Sequence, residues 1–224
     1  MAHDPVTPST DHSQLNEEYT MTTAEATEAP ARTIPEGDPA LIGVPTFIVG
    51  ATALGLVLTG YVPAGAVGAS IAIILPATGL GQLVAAVWAA AQGQSAVASV
   101  FGIFAGFWLS YAVLVLGLTH NWFGIPADAA VSTQGLFLTA WLVMIVLLTL
   151  ASLRLPAAFT LLFALIDLAL ALVLFGTVNG SAGLTTVGGY VVFAFTAVGV
   201  YLFLGAMSAA TGGRSLPLGR PVLS

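Results

Sequence analysis

Two polar side chains stand deep inside long apolar stretches, and chemistry is to be sought there first. Asp167 lies in the run Phe163-Ala164-Leu165-Ile166-Asp167-Leu168-Ala169-Leu170, and Gln82 follows Pro76, Gly79 and Gly81. A carboxyl group in such a setting is costly and faces protein or water rather than hydrocarbon. Asp167 can take up and release a proton, which would couple the entry of an anion to that of a proton. The competing reading makes it a hydrogen-bonded packing residue. Gln82 can donate hydrogen bonds to a carboxylate, or it can tie two helices together. Trp88, Trp108, Tyr111 and Tyr201 can line a pore or form belts at the two membrane surfaces. The histidines offer less: His3 and His12 precede the apolar part, and His120 falls in a polar link. No spacing suits a catalytic triad, a phosphate-cradling loop or a metal-ligand cluster, and there is no cysteine. The expectation is a protein that is not an enzyme and needs neither metal nor cofactor.

The elements that must position these groups follow from composition. Of 224 residues, 58% are hydrophobic and 6% charged, with no lysine at all. A soluble fold needs a charged surface that this chain cannot supply, so its apolar surface must face lipid. Six apolar segments, approximately 40–62, 66–92, 97–119, 133–153, 157–177 and 185–208, each have roughly the 20 residues a helix needs to span the hydrocarbon core. Spanning strands would be about ten residues long and alternating. The fold class expected is therefore an all-α membrane protein with six transmembrane helices. Short links join them, the longest being His120 to Ser132.

Charge gives the orientation. Residues 1–38 carry eight acids against Arg32, and residues 39–224 carry Asp128 and Asp167 against Arg154, Arg214 and Arg220. With six spans, all four arginines fall on one side, so the positive-inside rule places both termini in the cytoplasm of a cell-membrane protein. No basic patch exists for nucleic acid. Residues 1–37, rich in Thr, Glu, Pro and Ala without apolar periodicity, read as a disordered acidic cytoplasmic tail. They lack the basic and apolar regions of a signal peptide. Residues 38–210 read as the transmembrane domain and 211–224 as a short C-terminal tail.

The first span opens at Asp38-Pro39. Proline suits a first helical turn because its missing N–H would have no partner there, and an Asp before it can cap the free N–H groups. Gly102 and Gly106 make a Gly-x-x-x-Gly pair, read as helix packing. Pro76, Gly79 and Gly81 weaken the second span's backbone ladder, as a kink or as a functional break near a pathway.

These residues resemble a known family, the acetate uptake transporters, bacterial and fungal carriers of acetate and related small carboxylates. The family's first helix opens with a motif of the form Asn-Pro-Ala-Pro-Leu-Gly-Leu followed by Phe. Asp38-Pro39-Ala40-Leu41-Ile42-Gly43-Val44 and Phe47 resemble it, with Asp for Asn and Leu41 for the second Pro. Further matches are Gly81-Gln82, Phe107-Trp108-Leu109-Ser110, Ala197/Tyr201/Gly205 and Leu216-Pro217-Leu218-Gly219. The resemblance covers about residues 36–220. It implies a six-helix protomer with its own pore, assembled as a homo-hexameric ring. It also implies uptake of acetate, or of succinate, with a proton. The pore would be pinched by Phe47, Phe104 and Ile166. Family members carry Tyr where Phe104 stands, so this chain lacks a hydroxyl there. An apolar ring tolerates a methyl group or a neutral acid and resists hydrated ions, because removing their water is costly. Asp38, Pro39, Gln82, Trp108 and Tyr201 are candidates for holding substrate, and Asp167 for coupling to protons.

Two other readings compete. One is a six-helix channel for another small species such as formate or ammonia, although no span contains the pore histidine of formate-type channels. The other is a non-transporting membrane scaffold, which needs neither Gln82 nor Asp167.

Overall fold

The computed structural model describes Met1 and residues 36–223, and every regular element among them is helical. His3, His12 and Arg32, and with them most of the acidic tail, lie outside the described residues. Six helices are long and apolar enough to cross a membrane: α1 (Ala40–Leu58), α2 (Gly68–Ala91), α3 (Ser95–His120), α4 (Ala127–Arg154), α5 (Ala157–Val178) and α6 (Ala182–Ala210). In lipid a helix satisfies its backbone within itself, which is why such apolar runs take this form.

The start of α1 is as its sequence dictates. The Asp38 carboxylate accepts the Ala40 N–H at 2.8 Å and its carbonyl accepts the Leu41 N–H at 3.0 Å, while Pro39 is fully buried behind them. At the far end Gly60 takes a positive φ of 81°, and the Tyr61 N–H reaches back to the Leu56 carbonyl at 2.9 Å. That closure ends α1 at Leu58, four residues before the expected boundary.

Helix α2 is irregular. Its first turn is 3-10, and residues Ile74–Gly79 form a π-helical turn around Pro76 before regular helix resumes at Leu80. Proline lacks an N–H and crowds the preceding turn, so the ladder widens there. Helix α4 begins six residues earlier than the hydropathy pattern indicates. Pro126 and a 3-10 turn at Ala127–Ala129 start it, and its polar first turns fold their side chains back. Thr133 Oγ1 donates to Ala129 O at 2.8 Å, and Gln134 Nε2 to Ala130 O at 3.3 Å.

The helices form an open ring in the order α3, α2, α1, α6, α5, α4. The backbones of α3 and α4, which would close it, hardly touch. Glycines set the close packing on one side. A Cβ on Gly50 would land on Thr78 of α2, one on Gly81 at 2.5 Å from Thr46 of α1, and one on Gly79 at 2.5 Å from Leu109 of α3. Gly102 and Gly106 of α3 face Ala86 of α2 and Trp141 of α4, so the Gly-x-x-x-Gly pair serves packing. Across the α3–α4 gap aromatic rings do the filling instead: Phe107 against Trp141 at 5.5 Å and Phe137 at 5.8 Å, and Tyr111 against Phe137 at 6.2 Å between centroids.

Beyond α6 the chain does not hang free. Leu216-Pro217-Leu218-Gly219 lies as a strap on the ends of α5 and α6. The Ala158 N–H donates to the Leu218 carbonyl at 2.9 Å, Tyr201 Oη to the Pro217 carbonyl at 2.7 Å, and the Leu223 N–H to Leu153 O at 2.9 Å.

Candidate substrate pathway

A cavity of about 460 Å³ occupies the middle of the helix ring. Its wall combines the C-terminal halves of α1, α3 and α5 with the N-terminal halves of α4 and α6, and it reaches the α1–α2 link at Gly60, Val62 and Pro63. It therefore lies towards the face formed by the α1–α2, α3–α4 and α5–α6 links. Arg154 and Arg214 stand at the opposite face, since each falls after an even number of crossings.

Phe47, Phe104 and Ile166 come together in the cavity wall, from α1, α3 and α5, with 6, 5 and 6% of their surface exposed. Phe47 meets Phe104 edge-on at 5.4 Å and Phe195 of α6 at 5.6 Å; behind Phe104 stacks Phe163 at 6.0 Å. These side chains are all hydrocarbon; Phe195 lines the cavity beside them and Phe163 backs Phe104, and sequence reasoning missed both. Both fall in mostly apolar runs with other large apolar residues nearby, so only three-dimensional packing distinguishes them.

Trp108 is also in the wall, one helical turn from Phe104. It is 1% exposed, its indole stands 6.3 Å from Phe47, and its Nε1–H has no acceptor among the described residues. A buried N–H without a partner forfeits a hydrogen bond that water would have given it, so such a group commonly marks a place for a ligand or water. Tyr111, Gln134, Thr177, Thr185 and Thr186 bring further polar atoms to the wall, and no charged side chain does. Gln134 fell within the expected fourth span, 133–153, but was not singled out there as a polar group.

The remaining candidates lie elsewhere. Gln82 is 1% exposed and joins α2 to α1: its Nε2 donates to the Gly43 carbonyl at 3.1 Å, and its Oε1 is buried without a partner. Asp167 is turned from the cavity towards α4. Thr149 Oγ1 donates to its Oδ2 at 2.7 Å, and its Oδ1 is buried without a partner. Tyr201 is exposed and holds the C-terminal strap. Asp38 is exposed at the α1 start, where its carboxylate is engaged in capping.

Six helices long and apolar enough to cross a membrane, around an uncharged and mostly apolar cavity, fit a polytopic membrane protein. The particular family follows from comparison. The profile of the GPR1/FUN34/yaaH family matches residues 20–213, and the chain belongs to this family of acetate transporters and channels. Among solved structures, the bacterial acetate channel SatP is similar, with a TM-score of 0.72 and 22% sequence identity over 83% of this chain and 100% of that one. At that identity the likeness concerns the fold. A comparison with curated protein sequences gives no match.

Proposed function

We propose that the chain admits acetate and closely related small monocarboxylates across the cell membrane. They enter from the cavity and pass the Phe47, Phe104 and Ile166 constriction. The observation that carries this reading is the ring itself: a hydrocarbon floor under an uncharged cavity, with the unpaired Trp108 N–H one turn above it. A carboxylate docks its oxygens on neutral donors and presents its methyl group to the ring. Ions lacking an apolar end have nothing to offset loss of their water at that point. Formate and ammonia, which have no such end, are the poorer match.

The arginine distribution supports cytoplasmic termini, so the cavity opens to the outside. Residues 1–37 are then a cytoplasmic appendage dispensable for transport. Assembly as a ring of six fits the apolar outer face of α4, where Leu136, Val143, Leu147 and Leu150 stay exposed and need lipid or a neighbouring protomer to cover them. Proton linkage belongs to the same reading, Asp167 being the acid available for coupling within a span; succinate, with a carboxylate at each end, meets the ring as poorly as formate does.

Uptake of labelled acetate into proteoliposomes, with and without an imposed proton gradient, tests the function. Saturable uptake that is absent from empty liposomes is the expected result. No uptake by protein that is well folded and inserted would end the proposal.

A further inference from the structure

The cavity is far larger than the substrate class the constriction would pass. Sites of about 300–1,000 Å³ bury whole drug-sized molecules, and this one measures about 460 Å³. Acetate at the ring would leave most of that space to water held between apolar walls, an arrangement that a suitably shaped apolar group would displace favourably.

The walls specify the group. Phe107, Tyr111 and Phe137 give a ladder of ring faces and edges from the α3–α4 gap, opposed by aliphatic Leu170 and Val173 of α5. Aromatic rings pack against such surfaces in offset and edge-on geometries. At the deep end Trp108 carries an unpaired Nε1–H, buried as the side chain stands, which a small turn of the indole brings to a ligand. No charged side chain lines the cavity, so a charged ligand is held by neutral groups alone, and N–H and O–H donors suit a carboxylate.

We infer that the cavity is a binding site for bulky monocarboxylates, aryl-alkanoic acids such as phenylacetate, which lodge with the carboxylate on Trp108 and cannot pass the constriction. The inference rests on the proposed carboxylate pathway. It adds a ligand class that binds without being transported and blocks acetate from the cavity side. The aryl group lies along Phe107 and Phe137, and the ring of Phe47, Phe104 and Ile166 stops it.

The test is direct binding of phenylacetate to the purified full-length protein by isothermal titration calorimetry, run beside acetate flux in proteoliposomes. Ethylbenzene, similar in shape but without the carboxylate, serves as the control. The expected result is saturable phenylacetate binding, weaker ethylbenzene binding and inhibition of acetate uptake. Trp108→Phe keeps an aromatic ring and removes the N–H. It should weaken phenylacetate about tenfold or more, as loss of a hydrogen bond to a charged group implies, while ethylbenzene is little changed. Val173→Trp, which fills the cavity from α5, should abolish binding of both and keeps the test informative if Trp108→Phe fails to fold. Absence of saturable binding, equal affinity for the two ligands, or binding unaffected by Val173→Trp would overturn the inference. So would accumulation of labelled phenylacetate inside the proteoliposomes. Acetate flux without phenylacetate binding sinks this inference and leaves the transport reading standing. Phenylacetate binding sensitive to both variants, with no acetate flux, supports the site and sinks the transport reading.

Discussion

The two sides of α3 are built on opposite principles. Towards α2, and between α2 and α1 beyond it, the helices approach until only glycine fits: Gly79 against Leu109 of α3, then Gly50 against Thr78 and Gly81 against Thr46. Towards α4 the backbones stay apart, and Phe107, Tyr111, Phe137 and Trp141 fill the gap with rings. In lipid there is little hydrophobic force between helices, so close packing of small residues is what holds a bundle together. The glycine side is therefore the frame. On the aromatic side, where Phe107, Tyr111 and Phe137 also line the cavity, side chains can turn without displacing a backbone, so that is where the pathway can adjust to a passing molecule.

The sharpest way to break this comparison is to place one methyl-bearing side chain on each side. Gly50→Val puts atoms where buried Thr78 already stands, and neither helix can yield without moving its backbone. Overpacking of this kind costs about 1–3 kcal/mol or more in a well-packed interior. The expected outcome is a large fall in folded, extractable protein, read by fluorescence-detected size exclusion and thermal stability. Phe137→Leu, on the aromatic side, should leave a folded protein. Equal damage from the two would show that the frame and the flexible wall are not distinct.

The second effect is on passage. Phe104→Ala removes the ring that meets both Phe47 and Phe163. The expected outcome is uptake of carboxylates longer than acetate, measured as relative rates for acetate, propionate and butyrate. An unchanged size limit in well-expressed protein would move the constriction elsewhere.

The sequence displayed these regions unequally. Six spans were legible because a run of about 20 apolar residues has few alternatives, and the Asp38-Pro39 start was legible because its chemistry is local. Helix α4 was read six residues short because Pro126, Asp128 and Ser132 look like a link. Ser132, like Thr133 and Gln134 after it, instead bonds to a carbonyl of its own helix, which lets polar residues continue it. Phe47, Phe104 and Ile166 were brought together by the resemblance to a family, since their apolar surroundings give no periodic signal. Gln82 and Asp167 stood out by polarity alone. Polarity marks a group that needs a partner without saying whether that partner is a substrate, and both face neighbouring helices here.

Asp167 sharpens the comparison at α4. That helix meets α3 through rings, but it is pinned to α5 by Thr149 to Asp167 at 2.7 Å and by Thr160 Oγ1 to Ser152 O at 2.9 Å. Asp167→Asn keeps the shape and an acceptor for Thr149 while removing the titratable proton. If Asp167 couples transport, proton-driven accumulation of acetate should be lost while acetate exchange at equal pH continues. Normal accumulation would assign Asp167 to the α4–α5 contact alone, with the proton travelling on the undissociated acid.

The smallest expected effect concerns the strap, which ties the ends of α5 and α6 at the face away from the cavity. Tyr201 donates to the Pro217 carbonyl at 2.7 Å, and Gly205, one turn on, has Leu216 against it, with 3.3 Å from a built Cβ to the leucine's own. Tyr201→Phe removes one hydrogen bond at a half-open site, worth about 0.5–1.5 kcal/mol. A loss of that size should speed hydrogen exchange of the Leu218 to Leu223 segment by a few-fold to roughly tenfold. Acetate uptake should not change, because the tyrosine does not line the cavity. Faster exchange with unchanged uptake makes Tyr201 an anchor of the strap. Lost uptake with unchanged exchange would return it to the pathway and show that the route continues past the ring along α6.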